Sequence, residues 1–147
     1  MLIDARIETY TGKTFSSSRH EIWTMQSNCH NVPTIAGFQQ ASGITYAADK
    51  VQYHSSNDAA ELVLGIAKTY PKKAGIGYWE HSIKLNRGRD LTIIDRYDLT
   101  DTTAELCLNL LTACSLGEEE QESIKLQSAD LPDGRRSGMA KLQYDAE

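Results

Sequence analysis

The residues with the most suggestive chemistry lie in the first third of the chain, within residues 21–35. His30 and Asn31 stand there just before Val32 and Pro33. Because a residue that precedes proline is biased toward extended backbone, this spacing predicts that His30 lies on or beside the end of a strand. An imidazole in such a place is a candidate metal ligand or catalytic group. The residues by themselves favour the alternative, a histidine with a structural role.

The cysteines offer no further metal ligands. Cys29, Cys107 and Cys114 are an odd number without CxxC spacing, so they predict neither a zinc ribbon nor a disulfide framework. Cys29 adjoins His30, but neighbouring side chains on a strand point to opposite faces, and we do not expect both to reach one metal ion. Buried free thiols are the simpler interpretation.

Other side chains that could touch a ligand have simpler explanations. His54 and His81 lie on predicted strands, where we expect surface or half-buried imidazoles. Several basic residues could contact an acidic sugar chain, although a solvated hairpin and loop explain them equally well: Lys84, Arg87, Arg89, Arg135 and Arg136. Three aromatic residues could stack on sugar rings, although aromatic residues on strands more often belong to the core: Trp23, Tyr78 and Trp79.

The elements that would position these residues are strands, because hydrophobic residues recur with a period of two through the middle of the chain. The clearest case is a β-hairpin of residues 78–85 and 91–99 that turns through residues 86–89. Further strands are expected at residues 44–54, 104–112, 122–127 and 139–144. Many short strands with turn-rich gaps predict an all-β fold, an antiparallel two-sheet β-sandwich.

Two segments leave an alternative open. Residues 57–68 and 103–116 could each form a helix, but we favour strands because the neighbouring segments pair readily as hairpins. The acidic run at residues 117–122 is interpreted as a solvated loop tip.

Length and composition narrow the class of protein. The 147 residues are enough for one domain with its own core, and 40% hydrophobic with 24% charged residues is ordinary for a globular domain. The sequence has neither an apolar run of about 18 residues nor a secretory signal at its start. A net charge of −5 argues against general nucleic-acid binding, and a polyanionic substrate would require basic side chains gathered locally.

The run LIDARIETYTGKTFSSSRHEIWTMQSNCHNVPTIAG at residues 2–37 resembles part of the heparinase II/III-like polysaccharide lyases. That family has an Ile-Asp segment, a loop rich in serine and arginine, an aromatic strand ending in His-Asn, and a Thr-Ile/Val-x-Gly turn. Residues 46–54 and 69–99 are similar to later strands of the same domain. The resemblance covers roughly residues 2–112 and implies the C-terminal β-sheet domain of such a lyase.

The resemblance implies β-elimination at a uronic acid of a polysaccharide, either glycosaminoglycan-like or alginate-like. In related lyases the base and acid come chiefly from an (α/α) toroid domain, and nothing in this chain resembles that domain. We therefore expect residues 1–147 to be a single β-sandwich domain truncated at both ends, part of an enzyme but inactive alone. A stand-alone carbohydrate-binding or structural β-sandwich is the alternative.

Asp4 and His30 match the aspartate and histidine that help bind a zinc ion in related lyases. The family's third ligand, a histidine, would fall before Met1, so the resemblance implies weak zinc binding by this chain. It also implies that Asp4 and His30 lie side by side on neighbouring strands. No catalytic residue is assigned within the chain, and substrate-binding residues are left unassigned.

The expected partners follow from the same resemblance. They are an acidic polysaccharide and the missing toroid domain. Nucleic acid is not expected because of the net charge of −5, and a membrane is not expected because no apolar run of about 18 residues occurs. A first strand left at an exposed edge would pair with another copy of the chain, which would give a homo-oligomer. The resemblance leaves both a cytoplasmic and a periplasmic parent open.

Overall fold

The computed structural model describes residues 2–4 and 9–145, whose regular structure consists of strands and short 3-10 turns. Within these residues the strands are β1 (Pro33–Ile35), β2 (Asp49–Ser55), β3 (Ala59–Gly65), β4 (Ile76–Asn86), β5 (Asp90–Leu99), β6 (Leu106–Leu108), β7 (Ser115–Glu120), β8 (Ser123–Gln127) and β9 (Ala140–Gln143). The 3-10 turns are Gly12–Phe15, Ser17–Glu21, Trp23–Met25, Ser27–Cys29, Ala67–Thr69 and Lys72–Ala74. No helix in this part of the chain is long and apolar enough to cross a membrane.

The strands form three antiparallel sheets in the described residues. One sheet pairs β1 with β6, the largest has the order β2-β3-β4-β5, and the third has the order β7-β8-β9. The expected all-β, antiparallel fold is confirmed. The expected division into two packed sheets is not confirmed, because the strands fall into three groups.

The hairpin predicted for residues 78–99 is present as β4 and β5. Its register pairs Leu85 with Leu91, and Asn86 Nδ2 donates a hydrogen bond to the Asp90 carboxylate where the turn begins and ends. Gly88 has a φ of 74° in the turn, a left-handed conformation that glycine adopts without the steric cost of a Cβ atom. The residues of the turn and the alternation of hydrophobic residues on the two strands therefore favour the same pairing of β4 with β5.

One face of the four-stranded sheet is apolar and the other is polar. Residues directly opposite each other on antiparallel strands share a face, so the register assigns each side chain. We call the apolar face the side that carries Tyr53, Leu62, Leu64, Trp79, Ile83, Leu85, Leu91, Ile93 and Tyr97. The opposite side carries mostly polar residues, among them Glu61, Ser82 and Arg96.

The core lies against one end of the apolar face. It consists of the buried residues Ile35, Ile66, Tyr70, Ala74 and Trp79. The Tyr70 hydroxyl donates to the Pro33 carbonyl at 2.5 Å, and burial raises the pKa of this phenol above its usual range. The hydrogen bond satisfies the buried hydroxyl and holds β1 against the segment between β3 and β4.

The N-terminal segment does not form the aromatic strand ending in His-Asn that the resemblance implied. Residues 12–29 form four successive 3-10 turns. Hydroxyl side chains favour this geometry, because they accept hydrogen bonds from nearby backbone groups and so compete with strand pairing. Ser16 is one example: its Oγ accepts from the Ser18 N–H at 3.2 Å.

Two expected strands are shorter than the hydrophobic runs that suggested them. The strand expected at residues 44–54 begins only at Asp49, and the one expected at 104–112 is reduced to Leu106–Leu108. The strands expected at 122–127 and 139–144 are present as β8 and β9. Residues 57–68 contain β3 rather than a helix, and residues 103–116 are not helical either.

The acidic run at residues 117–122 is not the loop tip that was expected. Most of it belongs to β7, which ends at Glu120. Lys125 Nζ lies 2.5 Å from the Glu118 carboxylate and 3.4 Å from that of Glu120, and Lys141 lies 3.6 Å from Glu120. These lysines on β8 and β9 offset the repulsion between glutamates on one strand.

Candidate metal site

The site begins with the backbone that carries each of its two side chains. His30 follows the 3-10 turn Ser27–Cys29, and its N–H donates to the Ser27 carbonyl at 3.0 Å. Asp4 follows Ile3, whose N–H donates to the Leu111 carbonyl at 3.0 Å. A local backbone hydrogen bond therefore holds the position of His30, and a long-range one holds the segment that carries Asp4.

The structure brings Asp4 and His30 into contact although they are 26 positions apart. His30 Nδ1 lies 3.0 Å from Asp4 Oδ2. Neither residue lies in a β-strand, so the expected placement on neighbouring strands is wrong. Instead, the 3-10 turns of residues 12–29 precede His30 and place it beside Asp4. Their many hydroxyl side chains favour turns over an extended strand.

Asn31 holds the segments on either side of the contact. Its Nδ2 donates to the Ile3 carbonyl at 2.7 Å, and its Oδ1 accepts from the Leu111 N–H at 2.7 Å. Asn109 adds a link from the other direction by donating to the Val32 carbonyl at 2.8 Å. The amide of Asn31 thus joins the segment before Asp4, the segment after His30 and the segment that follows β6.

The imidazole of His30 faces an oxygen acceptor at each nitrogen. Nδ1 faces the Asp4 carboxylate, and Nε2 lies 3.1 Å from the Thr24 carbonyl. If Nε2–H donates to the Thr24 carbonyl, the Nδ1 lone pair faces the Asp4 carboxylate, and a cation or a second ring proton can lie between them. In the other tautomer, Nδ1–H donates directly to the carboxylate. Asp4 and His30 are therefore arranged to share a proton or a metal ion.

The pair fits zinc in its donor types and spacing. Zinc takes imidazole nitrogen and carboxylate oxygen, and tetrahedral bonds of the usual length separate two such ligands by about 3.3 Å. The observed 3.0 Å would have to open only slightly. The Thr24 carbonyl can accept from Nε2–H and so leave the Nδ1 lone pair facing the site, as is common for metal-binding histidines.

The pair offers two donor side chains, and no cluster of three occurs in the described residues. No group of three or more His, Cys, Asp or Glu side chains suited to a metal is found in residues 2–4 and 9–145. The Asp4 side chain is 65% exposed, which leaves room for water or another ligand. Zinc binding at this pair stays a prediction.

The other candidate residues do not join this pair. Cys29 Sγ contacts the Asn28 Oδ1 atom at 3.6 Å. Arg135 forms an ion pair with Asp133 at 2.6 Å, and Arg136 forms one with Asp130 at 3.1 Å. These ion pairs within one loop account for both arginines without a ligand. His54 is exposed on β2, as expected.

The three aromatic candidates have different surroundings. Trp79 is almost completely buried and belongs to the core. Trp23 is 54% exposed among the N-terminal turns. Tyr78 is partly exposed and lines an open cleft at the end of the large sheet. Of the three, only Trp79 follows the core interpretation in full.

His81 is buried, which corrects the expectation of a surface or half-buried imidazole. Its Nδ1 lies 2.8 Å from Asp95 Oδ1, and Trp79 Nε1 donates to the same oxygen at 2.5 Å. His81 pairs directly with Asp95 across the hairpin, and Trp79 precedes it by two residues on the same face. The turn predicted at residues 86–89 sets the pairing of the two strands and places Asp95 opposite His81. The sequence therefore contains a signal for this contact, namely an aspartate opposite a strand on which Trp79 and His81 share one face.

Comparison with known proteins does not assign the chain to a family. No protein-family model matches the sequence, and no curated protein matches it. The resemblance to heparinase II/III-like lyases rests on the motifs in residues 2–112.

Proposed function

We propose that this chain is the C-terminal β-sheet domain of a polysaccharide lyase that cleaves uronate-containing polysaccharide by β-elimination. The observation that carries the proposal is the 3.0 Å contact between Asp4 Oδ2 and His30 Nδ1. The resemblance singles out the same two side chains as ligands of one zinc ion. Their contact across 26 positions supports it, because an accidental motif match gives no reason for them to meet.

The two side chains would supply one oxygen and one nitrogen ligand to zinc, and the parent enzyme would supply the third from a histidine upstream. Zinc at this position would neutralise the carboxylate and fix the chain at residues 2–4. Asn31 keeps the backbones on both sides in register for that arrangement. The role of the pair in this chain is to position the domain.

The complete domain is a two-sheet β-sandwich in which a second layer covers the apolar face. Support comes from five side chains of this face that are 36–63% exposed: Tyr53, Leu85, Leu91, Ile93 and Tyr97. Antiparallel sheets usually bury one face and solvate the other, and in sandwiches the buried face packs on a second sheet. The polar side of the same sheet needs no such cover.

The reaction itself requires groups outside this chain. A base removes the proton on the carbon next to the uronate carboxylate, a neutralising group withdraws charge from that carboxylate, and an acid protonates the departing glycosidic oxygen. In the proposed parent the base and acid belong chiefly to an (α/α) toroid domain. The present chain closes over the sugar and is inactive alone.

An absorbance assay tests this function, because β-elimination creates an unsaturated product that absorbs in the ultraviolet. We expect no rise with the isolated chain on alginate or heparin, and a clear rise with the longer parent enzyme. A robust rise with the isolated chain that His30→Ala abolishes would contradict the proposed division of labour. A parent without activity on any uronate polymer would favour a stand-alone carbohydrate-binding or structural module.

Zinc binding gives a separate prediction. The isolated chain should bind zinc weakly, and Asp4→Asn or His30→Ala should weaken binding about tenfold or more, because each removes one of two protein ligands. Isothermal titration calorimetry with zinc chloride measures this. His54→Ala removes an exposed histidine elsewhere and should leave binding unchanged. An equal loss in all three variants would show nonspecific binding.

A further inference from the structure

An open cleft of about 830 Å³ lies at one end of the four-stranded sheet, away from the His30 segment in sequence. Its walls come from the loop before β2, the start of β2, the segment after β3 and the start of β4. The residues that give it chemistry are Tyr46, Lys50, Lys68, Lys72 and Tyr78. This volume is within the range of small-ligand sites.

The cleft is positively charged although the chain as a whole carries −5. Three lysines line it, and among the described lining residues Asp49 alone is acidic. Lys68 Nζ lies 2.7 Å from the Asp49 carboxylate, and its hydrogen bond lowers the pKa of Asp49 below the usual range. Lys50 and Lys72 have no carboxylate within 4.0 Å in the part of the chain that the structure describes. Two ammonium groups are therefore available to an anion.

Two tyrosines give the cleft its aromatic surface. Tyr46 and Tyr78 are each 38% exposed. Lys50 Nζ lies 5.7 Å from the centroid of the Tyr78 ring, within the range of a cation–π contact. The contact keeps a positive charge beside an exposed ring.

The backbone directs Lys50 to this place at some steric cost. Lys50 has a φ of 50°, a left-handed conformation that is uncommon for residues other than glycine. The β2–β3 register shifts between Asp49 and Gln52, which marks a bulge at this position. Bulges re-aim side chains and occur often beside functional sites. Opposite the bulge, a Cβ atom on Gly65 would overlap the Asp49 carboxylate, so the absence of a side chain there permits the arrangement.

We propose that this cleft binds a short segment of an anionic glycan, with Tyr78 against a sugar ring and Lys50 and Lys72 paired with its carboxylate or sulfate groups. Pyranose rings offer an apolar face to tyrosine, and the free ammonium groups match regularly spaced acidic substituents. Nucleic acid would need a broader basic surface than two free lysines on a chain of net charge −5. The choice of glycan rests on the proposed function, whereas the location of the cleft does not.

Calorimetric titration of the 147-residue chain tests the site. The probes are a mannuronate hexamer, which carries carboxylates only, a heparin hexasaccharide, which adds sulfates, and neutral cellohexaose. We expect one or both acidic probes to bind, more weakly at higher salt, and cellohexaose not to bind measurably. The stronger acidic probe identifies the preferred anionic group.

Variants locate the binding. The double substitution Lys50→Ala with Lys72→Ala should weaken the binding of the acidic probe about tenfold, through the loss of two exposed ion pairs. Tyr78→Ala should weaken it about fivefold, and Tyr78→Phe should retain it because the ring remains. Lys84→Ala is the matched control: Lys84 is an exposed lysine of β4, six residues beyond Tyr78, and its loss should change binding less than twofold.

Several results would overturn the proposal. They are absence of binding by both acidic probes, an effect of Lys84→Ala equal to that of the double variant, and equally tight binding of a single-stranded hexathymidylate. The same variants separate this site from the proposed lyase function. If the chain binds an acidic probe at the cleft and the longer parent enzyme is inactive, the binding site is supported and the lyase function is rejected. If the parent enzyme is active and the double substitution does not change binding by the chain, the lyase function is supported and the binding site is rejected.

Discussion

Asp95 is a carboxylate on the apolar face of the large sheet, where it contacts two other polar groups. Its Oδ1 accepts from both Trp79 Nε1 and His81 Nδ1, and its side chain is 12% exposed. Tyr97 stacks on Trp79 with ring centroids 4.6 Å apart and shields the contact further. A carboxylate in such a place holds two donors that would otherwise be buried without an acceptor.

Removing this carboxylate should therefore destabilise the chain strongly. We expect Asp95→Ala to lower the free energy of unfolding by about 3 kcal/mol, because two hydrogen bonds to a charged acceptor are lost and the Trp79 donor is left unsatisfied. Urea denaturation followed by tryptophan fluorescence measures the change. Asp98→Ala removes an exposed aspartate of the same strand and should cost less than about 0.5 kcal/mol. Equal costs would mean that the shared acceptor contributes nothing.

The role of a single residue could be predicted from the sequence where the residue belongs to a recognisable motif. It was harder to predict where a contact depends on how two strands pair. Asp4 and His30 were found by resemblance, and they do meet. The burial of His81 depends on its partner Asp95, which lies across a hairpin, and the types of single residues do not indicate such a pair. Nothing in the linear pattern indicates the bulge at Lys50 or its contact with Tyr78.

At the scale of elements, hairpins were predicted well and irregular segments poorly. β4 and β5 carry alternation and a glycine-containing turn that both favour one register. The N-terminal turns at residues 12–29 carry no comparable period, because local hydrogen bonds from serine and threonine decide their geometry. The glutamates of β7 suggest a solvated loop, because the lysines on β8 and β9 that balance their charge are not apparent from the local sequence.

The bulge between β2 and β3 gives a prediction at this scale. Gly65→Ala should destabilise the chain by about 1–3 kcal/mol, since the new methyl group overlaps the Asp49 side chain. In an Asp49→Ala background the same substitution should cost clearly less, because the overlapping carboxylate is gone. A double-mutant cycle from urea denaturation measures this coupling. Strictly additive costs would show that the close approach of Asp49 to Gly65 is not what requires glycine there.

At the scale of the whole molecule, the three sheets leave the large apolar face only partly covered. Trp79 and Leu64 at one end pack into the core, whereas Leu85 and Leu91 near the hairpin turn are 41% and 50% exposed. Alternation in the sequence predicted which residues form strands, but it carries no information on which surface covers them. The all-β class followed from pattern alone for that reason, and the layer arrangement did not.

Two neighbouring isoleucines on β5 test whether this face behaves as an uncovered hydrophobic surface. Ile93 lies on the apolar face and Ile94 on the polar side, and their exposures are close, at 36% and 41%. Ile93→Lys should sharply reduce the binding of Nile red, a neutral apolar dye, and any self-association of the chain, because a charge at the centre of the face resists desolvation. Ile94→Lys makes the same chemical change among polar neighbours and should leave both properties nearly unchanged. Dye fluorescence and sedimentation velocity measure the effects, with urea denaturation to verify that both variants stay folded. If both substitutions reduced dye binding equally, the apolar face would not be a distinct surface, and the proposed cover by a second sheet would lose its support.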